Sequence, residues 1–390
     1  MKRFQELFDE EFIRIASEAL GIPELKITGM IKRRVIQRIS RFVPEYYRFE
    51  KGISGVEPGT SFFNLVGDIE IVRGFPKIHR AMLLKPTIQM HFKGVPLVAI
   101  EEKMNGYNVR VVKIQDQILA LTRGGLVCPY TTEKAIEEIG LEFFRDHPDL
   151  VLCGEMVGPD NPYVPKDIYP EVESIALYVF DIRRKCTGRP ITLQKKNELC
   201  EWYGIKTVRH FGNYPVDTVA RIVTDLVREL GTAGREGVVI KDPEMKLPAL
   251  KYTCSESTNS DLQYAFQFYN DYGRDFFFSR AVREGFQSME WDEDEDALHE
   301  RSCRLGESIL KPMVETIRKR KRGERITENV RIRVSSLKTT KLFENHLRLL
   351  GIDAQFGEPL HVDGQYLIEI KKLNQSTNDR TDALLNGQFW

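Results

Sequence analysis

No charge of either sign predominates, since Lys plus Arg number 57 and Asp plus Glu also number 57 in 390 residues. A polyanion must therefore be held by a local patch, because the overall field is neutral. Cysteine is sparse and scattered, at 128, 153, 186, 200, 254 and 303, with no CxxC pair and no Cys/His cluster at zinc-ligand spacing. That pattern excludes a zinc-finger module and points to reduced, mostly buried thiols instead of a disulfide framework. The histidines at 79, 91, 147, 210, 299, 346 and 361 are isolated from one another, so none is expected to be catalytic or to bind metal. Long apolar runs are missing too. No stretch reaches membrane-spanning length, and the N-terminus carries acidic residues where a secretion signal needs an unbroken apolar region. A cytoplasmic protein with no membrane partner is expected. Internal repeats and low-complexity tracts are also lacking.

With 42% hydrophobic and 29% charged residues, the chain is expected to fold and to bury a sizeable core. Its length suggests two to four domains. The apolar residues Phe4, Leu7, Phe8, Phe12, Ile15 and Ala16 recur at helical spacing, and a second, basic helix is expected over Ile31 to Phe42. Pro58-Gly59 and Gly67 then punctuate short β-prone runs, so an N-terminal α/β module is expected to end near residue 75. Between Pro86 and Tyr252, β-rich runs dominate: Leu97 to Glu102, Tyr107 to Ile114, Gln117 to Thr122, Leu150 to Glu155, Ser174 to Ile182, Glu236 to Lys241 and Ala249 to Tyr252. Helices are expected at Thr131 to Arg145, Thr192 to Tyr203 and Val216 to Leu230. The closeness of the first three β runs argues for antiparallel pairing, hence an α+β fold and not a doubly wound sheet. Beyond residue 253, long helices are expected over Leu262 to Met289 and Ala297 to Arg322, then a mixed segment with a strand at Tyr366 to Ile370.

The chemistry is concentrated around Glu101-Glu102-Lys103-Met104-Asn105-Gly106-Tyr107-Asn108, where a lysine sits between two β runs. Alone, a Lys-x-(Asp/Asn)-Gly match is weak; average usage produces one in roughly one chain in six of this length. Asn105-Gly106 is also an ordinary hairpin dipeptide. The ordered blocks downstream of it are far more specific: Thr122-Arg123-Gly124-Gly125, Cys153-Gly154-Glu155, Tyr178-Val179-Phe180-Asp181, Glu236-Gly237-Val238-Val239-Ile240-Lys241 and Leu250-Lys251-Tyr252.

In this ordered set the sequence resembles the covalent nucleotidyltransferases, the superfamily of ATP-dependent DNA and RNA ligases and mRNA capping enzymes. Asn108, the long N-terminal lead and a helix-rich extension in place of a β-barrel domain resemble the archaeal homodimeric ATP-dependent RNA ligases, which circularise RNA. The resemblance implies an α+β nucleotidyltransferase core of antiparallel sheets flanked by helices. It divides the chain into an N-terminal module (1–75), an adenylyltransferase domain (76–253), a helical dimerisation domain (254–325) and a C-terminal α/β domain (326–390).

It further implies ATP as cofactor, Lys103 as the nucleophile that takes AMP, and RNA with 5′-phosphate and 3′-OH ends, single-stranded, as substrate. An amine attacks only when neutral, and its ordinary pKa is about 10.4, so burial or neighbouring cations are expected to depress it. Lys241 and Lys251 are the cations expected to supply that field and to neutralise the α-phosphate. By the same resemblance Glu101 reads the adenine amino group, Phe180 stacks on the purine, Glu155 contacts the ribose hydroxyls, and Asn108 contacts the ribose or aligns the RNA 3′-OH. Glu236 faces the metal, Mg²⁺ or Mn²⁺, and Arg123 binds the RNA phosphate. Asn105 stands where many relatives carry Asp and is expected to form the turn by hydrogen bonding. Thr253 stands where relatives often have a second lysine, which shifts the cationic role onto Lys251 and Lys241.

Plainer readings compete: Glu101 as a surface charge, Phe180 as core, and Arg123 as a solvent-facing strand-end residue. Lys32-Arg33-Arg34 with Arg38 and Arg41, and Arg318 to Arg322, are either backbone-tracking patches or solvated ends. The aromatic segment Tyr264 to Phe278 is expected at the dimer contact or inside the monomer. Rival functions are a GTP-using capping guanylyltransferase, a DNA ligase, or an RNA-binding protein that holds a nucleotide without turnover.

Overall fold

The computed structural model describes residues 2–40, 44–53, 55–65 and 68–389. The chain opens with α1 (Lys2–Leu20) and α2 (Glu24–Lys32), which pack on an antiparallel sheet of β1 (Ile36–Ile39), β2 (Tyr46–Phe49), β3 (Ser61–Leu65) and β4 (Asp68–Val72) in that order. Phe12 stacks on Tyr47 with centroids 3.9 Å apart, and Ile27, Met30, Ile36 and Phe62 complete that core. The basic stretch from Ile31 is not the expected helix. Helix α2 stops at Lys32, Arg34 turns the chain at a φ of 57°, and Ile36 pairs with Phe49 across β1 and β2. β-Branched residues opposite an aromatic strand partner prefer the sheet, and that tertiary pairing overrides a local helical pattern. Arg41, Phe42, Val66 and Gly67, and the side chains of Phe4, Leu7 and Phe8, lie outside the described residues.

The central elements come in the order β5 (His79–Arg80), α3 (Leu84–His91), β6 (Leu97–Lys103), β7 (Tyr107–Ile114), β8 (Gln117–Thr122), α4 (Pro129–Ile139), α5 (Glu142–Asp146), β9 (Leu150–Val157) and β10 (Ala176–Arg184). Then come α6 (Leu193–Trp202), β11 (His210–Pro215), α7 (Val219–Thr232), β12 (Gly237–Lys241) and β13 (Leu250–Thr253). They form two sheets. One runs β10-β9-β7-β8, all antiparallel; the other runs β11-β6-β12-β13-β5, antiparallel except for the parallel β13/β5 pair. β7 and β8 make the expected hairpin, but β6 and β7 belong to different sheets, so Asn105-Gly106 is a crossing between sheets and not a hairpin turn. A Cβ on Gly106 would lie 2.1 Å from the Met156 carbonyl oxygen, so only glycine lets the crossing chain press against β9.

Val219, Val223, Val227 and Leu230 share one face of α7 and cover Val98, Ile100, Val238 and Ile240 of the second sheet. The expected helix from Thr131 to Arg145 breaks at Gly140, where φ is 73°. The helix expected over Leu262 to Met289 also divides, into α8 (Ser255–Gln267) and α9 (Arg274–Glu290), and is followed by α10 (Glu295–Lys321), whose first turn is capped by the Asp294 carboxylate accepting from the Ala297 amide at 2.9 Å. The last segment holds β14 (Thr327–Val334), α11 (Leu337–Leu349), β15 (Asp353–Phe356), β16 (Leu360–Val362), β17 (Gln365–Leu373) and α12 (Gln375–Leu385), with β17 pairing β14, β15 and β16. Val330, Ile332, Ile368 and Ile370 of this sheet share a core with Val109, Val111, Leu152 and Val179 of the first central sheet. The fully buried Asp160 carboxylate accepts from Arg331 and Arg333 across the same junction.

The fold is α+β. All six cysteines are free; four are buried, while Cys186 and Cys303 are exposed. Among the described residues no helix is long and apolar enough to cross a membrane.

Candidate active site

A cleft of about 730 Å³ opens between the two central sheets, and it brings together Lys103, Glu101, Asn105, Asn108, Arg123, Glu155, Phe180, Glu236, Lys241 and Lys251. Strand geometry explains the gathering. Glu101 and Lys103 are two residues apart on β6 and so share a face. Gly237 pairs with Lys103, which sets Glu236 beside the lysine, while Lys251 on β13 lies opposite Val239. From the other sheet, Asn108 on β7 lies opposite Glu155 on β9. Gly237 has a φ of 144°, and a Cβ there would stand 2.4 Å from the Tyr252 carbonyl oxygen, so glycine is required for this register.

At one end of the cleft the charges are already matched. Glu101 is buried and is no surface charge; its carboxylate accepts from Lys196 at 2.5 Å and from Lys241 at 2.6 Å. Burial alone would raise the Glu101 pKa, but the two ammonium groups outweigh it and hold the group below the usual carboxylate range. Lys241 also donates to the Phe180 carbonyl oxygen at 2.6 Å. The Phe180 ring is half-buried, borders the cleft and meets Phe75 edge-on at 5.2 Å. Lys196 was not among the residues expected here. Its signal is spacing: on α6 it follows Leu193 by three residues and precedes Leu199 and Cys200 by three and four, so it shares their buried face.

The other end holds Lys103. Lys103 Nζ donates to Glu236 Oε2 at 2.7 Å. Burial works against the charge on Lys103, but Glu236 and Glu155 outweigh it, so the pKa is raised and the side chain rests as an ammonium. The expectation that neighbouring cations depress it is therefore corrected, because carboxylates stand nearer and Lys241 is engaged by Glu101. In this cleft Lys251 is depressed, brought down to about 8 by burial and by Lys103 and Arg80. Glu155 is pushed up to about 7, chiefly by burial, with Lys103 opposing and Glu236 reinforcing the shift. Asn108 Oδ1 is buried without a hydrogen-bond partner among the described residues, which suits an acceptor turned toward a ligand. The Asn105 amide donates to the Tyr169 hydroxyl at 2.5 Å and so pins the crossing segment.

Arg123 is exposed on the turn after β8. The N-terminal strands hold that turn: Arg48 donates to the Gly124 carbonyl oxygen at 2.8 Å, and the buried Arg110 donates to Gly59 and Thr122 carbonyls at 2.9 and 3.2 Å. Near Lys251, the Thr253 hydroxyl accepts from Arg80 at 3.0 Å and from Arg283. Arginines thus gather where relatives often place a second lysine. Arg80 is brought down to about 10 by burial, Arg283 and Arg280, a sign of crowded positive charge. In the aromatic segment Tyr264, Tyr272 and Phe276 border the cleft, Phe268 is buried and Phe278 is exposed. Within the two basic runs, Arg38 pairs with Glu45, Arg320 with Asp382 and Arg322 with Glu324. Among the described residues no group of three or more His, Cys, Asp and Glu could alone hold a metal ion. One or two carboxylates beside bound phosphates do suit a hard divalent cation, and Glu236 and Glu155 fit that description.

Comparison with known proteins adds the family. A family model for RNA ligase matches residues 96–253, and one for the ligase Pab1020 C-terminal region matches residues 264–388. An uncharacterized protein from Methanocaldococcus jannaschii is 39% identical over 381 residues, 96% of each chain. Two solved forms of an archaeal ATP-dependent RNA ligase are 45% identical, with TM-scores of 0.89 and 0.90 over 97% of this chain and 99% of theirs. A chain from Aquifex aeolicus, provisionally named an ATP-dependent DNA ligase, shares the fold at a TM-score of 0.85 and 24% identity, over 93% of this chain and 99% of its own. Near-full-length kinship and a cleft that gathers the nucleotidyltransferase motifs agree, and the chain belongs to the archaeal ATP-dependent RNA ligases.

Proposed function

We propose that this ligase seals RNA 5′-phosphate and 3′-OH ends through a lysyl-AMP intermediate on Lys103. The observation that carries the reading is a lysine at the end of β6, inside the cleft, hydrogen-bonded at 2.7 Å to Glu236. Glu236 is the carboxylate within reach to accept the ammonium proton. The freed lone pair attacks the α-phosphorus of ATP; an N–P bond forms and the P–O bond to pyrophosphate breaks. An oxygen of the RNA 5′-phosphate then attacks the same phosphorus, the N–P bond breaks, and the amine leaves with a proton. Finally the 3′-OH, losing its proton, attacks the activated 5′-phosphorus and expels AMP. Lys251, with Arg80 adding to the positive field around it, balances negative charge building on the phosphates, and Glu101 with Phe180 holds the adenine. When Mg²⁺ or Mn²⁺ is bound, Glu236 and phosphate oxygens would hold it, and it would supply charge neutralisation there.

A strand carrying both ends closes into a circle. The exposed apolar residues Phe278, Met289, Leu310 and Val314 on α9 and α10 support a second copy of the chain as partner, which sedimentation of the purified protein tests. The chemical test is mass spectrometry after incubation with ATP or GTP. The expected result is an added AMP mapped to Lys103, lost in Lys103→Ala and not restored in Lys103→Arg, whose guanidinium stays protonated. GTP labelling alone would point to capping chemistry, and full labelling of Lys103→Ala would overturn the nucleophile assignment.

A further inference from the structure

The cleft has a second aromatic surface that the reaction as described leaves unused. Tyr264 on α8, Tyr272 in the turn before α9, and Phe276 on α9 line it together. Tyr272 meets Phe276 at 5.0 Å and Tyr264 edge-on at 6.5 Å. The Arg280 guanidinium lies 3.4 Å from the Phe276 centroid and donates to Asp261 at 2.7 Å, which fixes the outer ring. All three rings are only half-buried and border the cleft, with Arg280 covering one face of Phe276.

This wall sits with the phosphate chemistry and not with the adenine end. Arg283 of α9 donates to the Thr253 hydroxyl, two residues beyond Lys251 on β13, so the helix that carries Phe276 is seated on that strand, and Asp261 acts electrostatically on Lys103 and Arg80. The ion partners of Glu101, by contrast, are Lys241 and Lys196. We infer that Tyr272 and Phe276 form the stacking seat for the base of the RNA nucleotide that carries the 5′-phosphate, an inference that rests on the proposed lysyl-AMP reading.

Three considerations meet here. Phe180 already offers the adenine a ring, so a second aromatic set in the same cleft fits a second base. In an in-line displacement the RNA phosphate enters opposite the departing Lys103 nitrogen, where pyrophosphate left earlier. The incoming nucleotide therefore approaches on the phosphate side. Aromatic faces beside cations are also the composition that holds single-stranded nucleic acid whatever its sequence, and the cations lining this cleft include Lys251, Arg123 and Arg280.

The test uses the full chain, first loaded with AMP, and short 5′-phosphorylated RNAs that are intact, abasic at the first nucleotide, or abasic at the last. Single-turnover AMP transfer to RNA is measured against RNA concentration. Stacking of one base predicts that the 5′-abasic RNA requires roughly 5- to 150-fold higher concentration for half-maximal transfer, with the 3′-abasic RNA behaving like the intact one. Tyr272→Leu with Phe276→Leu should erase that difference by weakening the intact and 3′-abasic RNAs while leaving the 5′-abasic one unchanged, whereas Tyr272→Phe should retain it. A purely structural role would move all three RNAs together. Equal binding of intact and 5′-abasic RNA by the wild-type chain overturns the inference, as does a difference that survives the double Leu variant or appears only at the 3′ end. Wild-type labelling on Lys103 is read in parallel. Its absence would sink the lysyl-AMP reading, whereas labelling without a base effect sinks the stacking seat alone.

Discussion

The two ends of the cleft differ in how far they are finished before any ligand arrives. Around Glu101 the charges cancel: one buried carboxylate, two ammonium groups and a backbone carbonyl satisfy one another. Around Lys251 they do not, because burial works against its charge, Lys103 and Arg80 crowd it, and its own affinity for a proton falls. A satisfied buried network is rigid and selective, while a cation-rich one is held in tension until an anion relieves it. Lys103, the proposed nucleophile, lies on the second side of this contrast but is paired with Glu236, so it is held in its protonated form.

Substitutions can sharpen that contrast. Glu236→Gln should lower the rate of Lys103 labelling by about 10²- to 10⁴-fold through loss of the proton acceptor. It should also move the rising limb of the pH–rate profile to lower pH, because removing the carboxylate lowers a raised lysine pKa. An unmoved limb would mean that Glu236 does not govern the Lys103 proton. Lys251→Ala is expected to cost about 10²- to 10³-fold in labelling rate. In the wild type the Lys251 charge is present below about pH 8 and is lost as pH rises through that value, so ATP affinity of the free protein should weaken there. Lys251→Arg should remove that alkaline decline, which calorimetric titration with ATP at several pH values would reveal.

At the finished end smaller effects on chemistry are expected. Phe180→Ala should weaken ATP binding by roughly 5- to 150-fold, the contribution of one stacked base, with little change in the maximal labelling rate. Lys196→Met should leave the chemistry least altered and show itself in stability instead, costing about 3 kcal/mol by leaving Glu101 with one cation. The depressed Glu101 pKa contributes stability above the ordinary carboxylate range that is lost as pH falls through its folded value. With Lys196 gone the folded value rises, so acid unfolding should begin at higher pH; an unchanged acid midpoint in circular dichroism would contradict the pairing.

The strands of the core were legible because each combines β-branched residues with flanking turn residues: Tyr107–Ile114 and Gln117–Thr122 coincide with β7 and β8. The ordered motifs likewise pointed to side chains that do meet in one cleft. Which charges meet which was not legible. Lys196 reaches Glu101 across 95 residues, and Arg80 reaches Thr253 across 173, distances over which no local pattern reports a contact. The protonation of Lys103 was hidden for the same reason, since it depends on whether a carboxylate or an ammonium stands nearer, by a few ångströms. The basic stretch after Ile31 failed differently, when pairing with β2 overrode its helical spacing.

The crossing at Met104-Asn105-Gly106 makes one covalent strap between the two sheets, clasped to β9 and to Tyr169. The walls that carry Lys103 and Asn108 are thereby tethered at a fixed short span. At this corner of the cleft the separation of the two walls is therefore set by the three-residue link between β6 and β7.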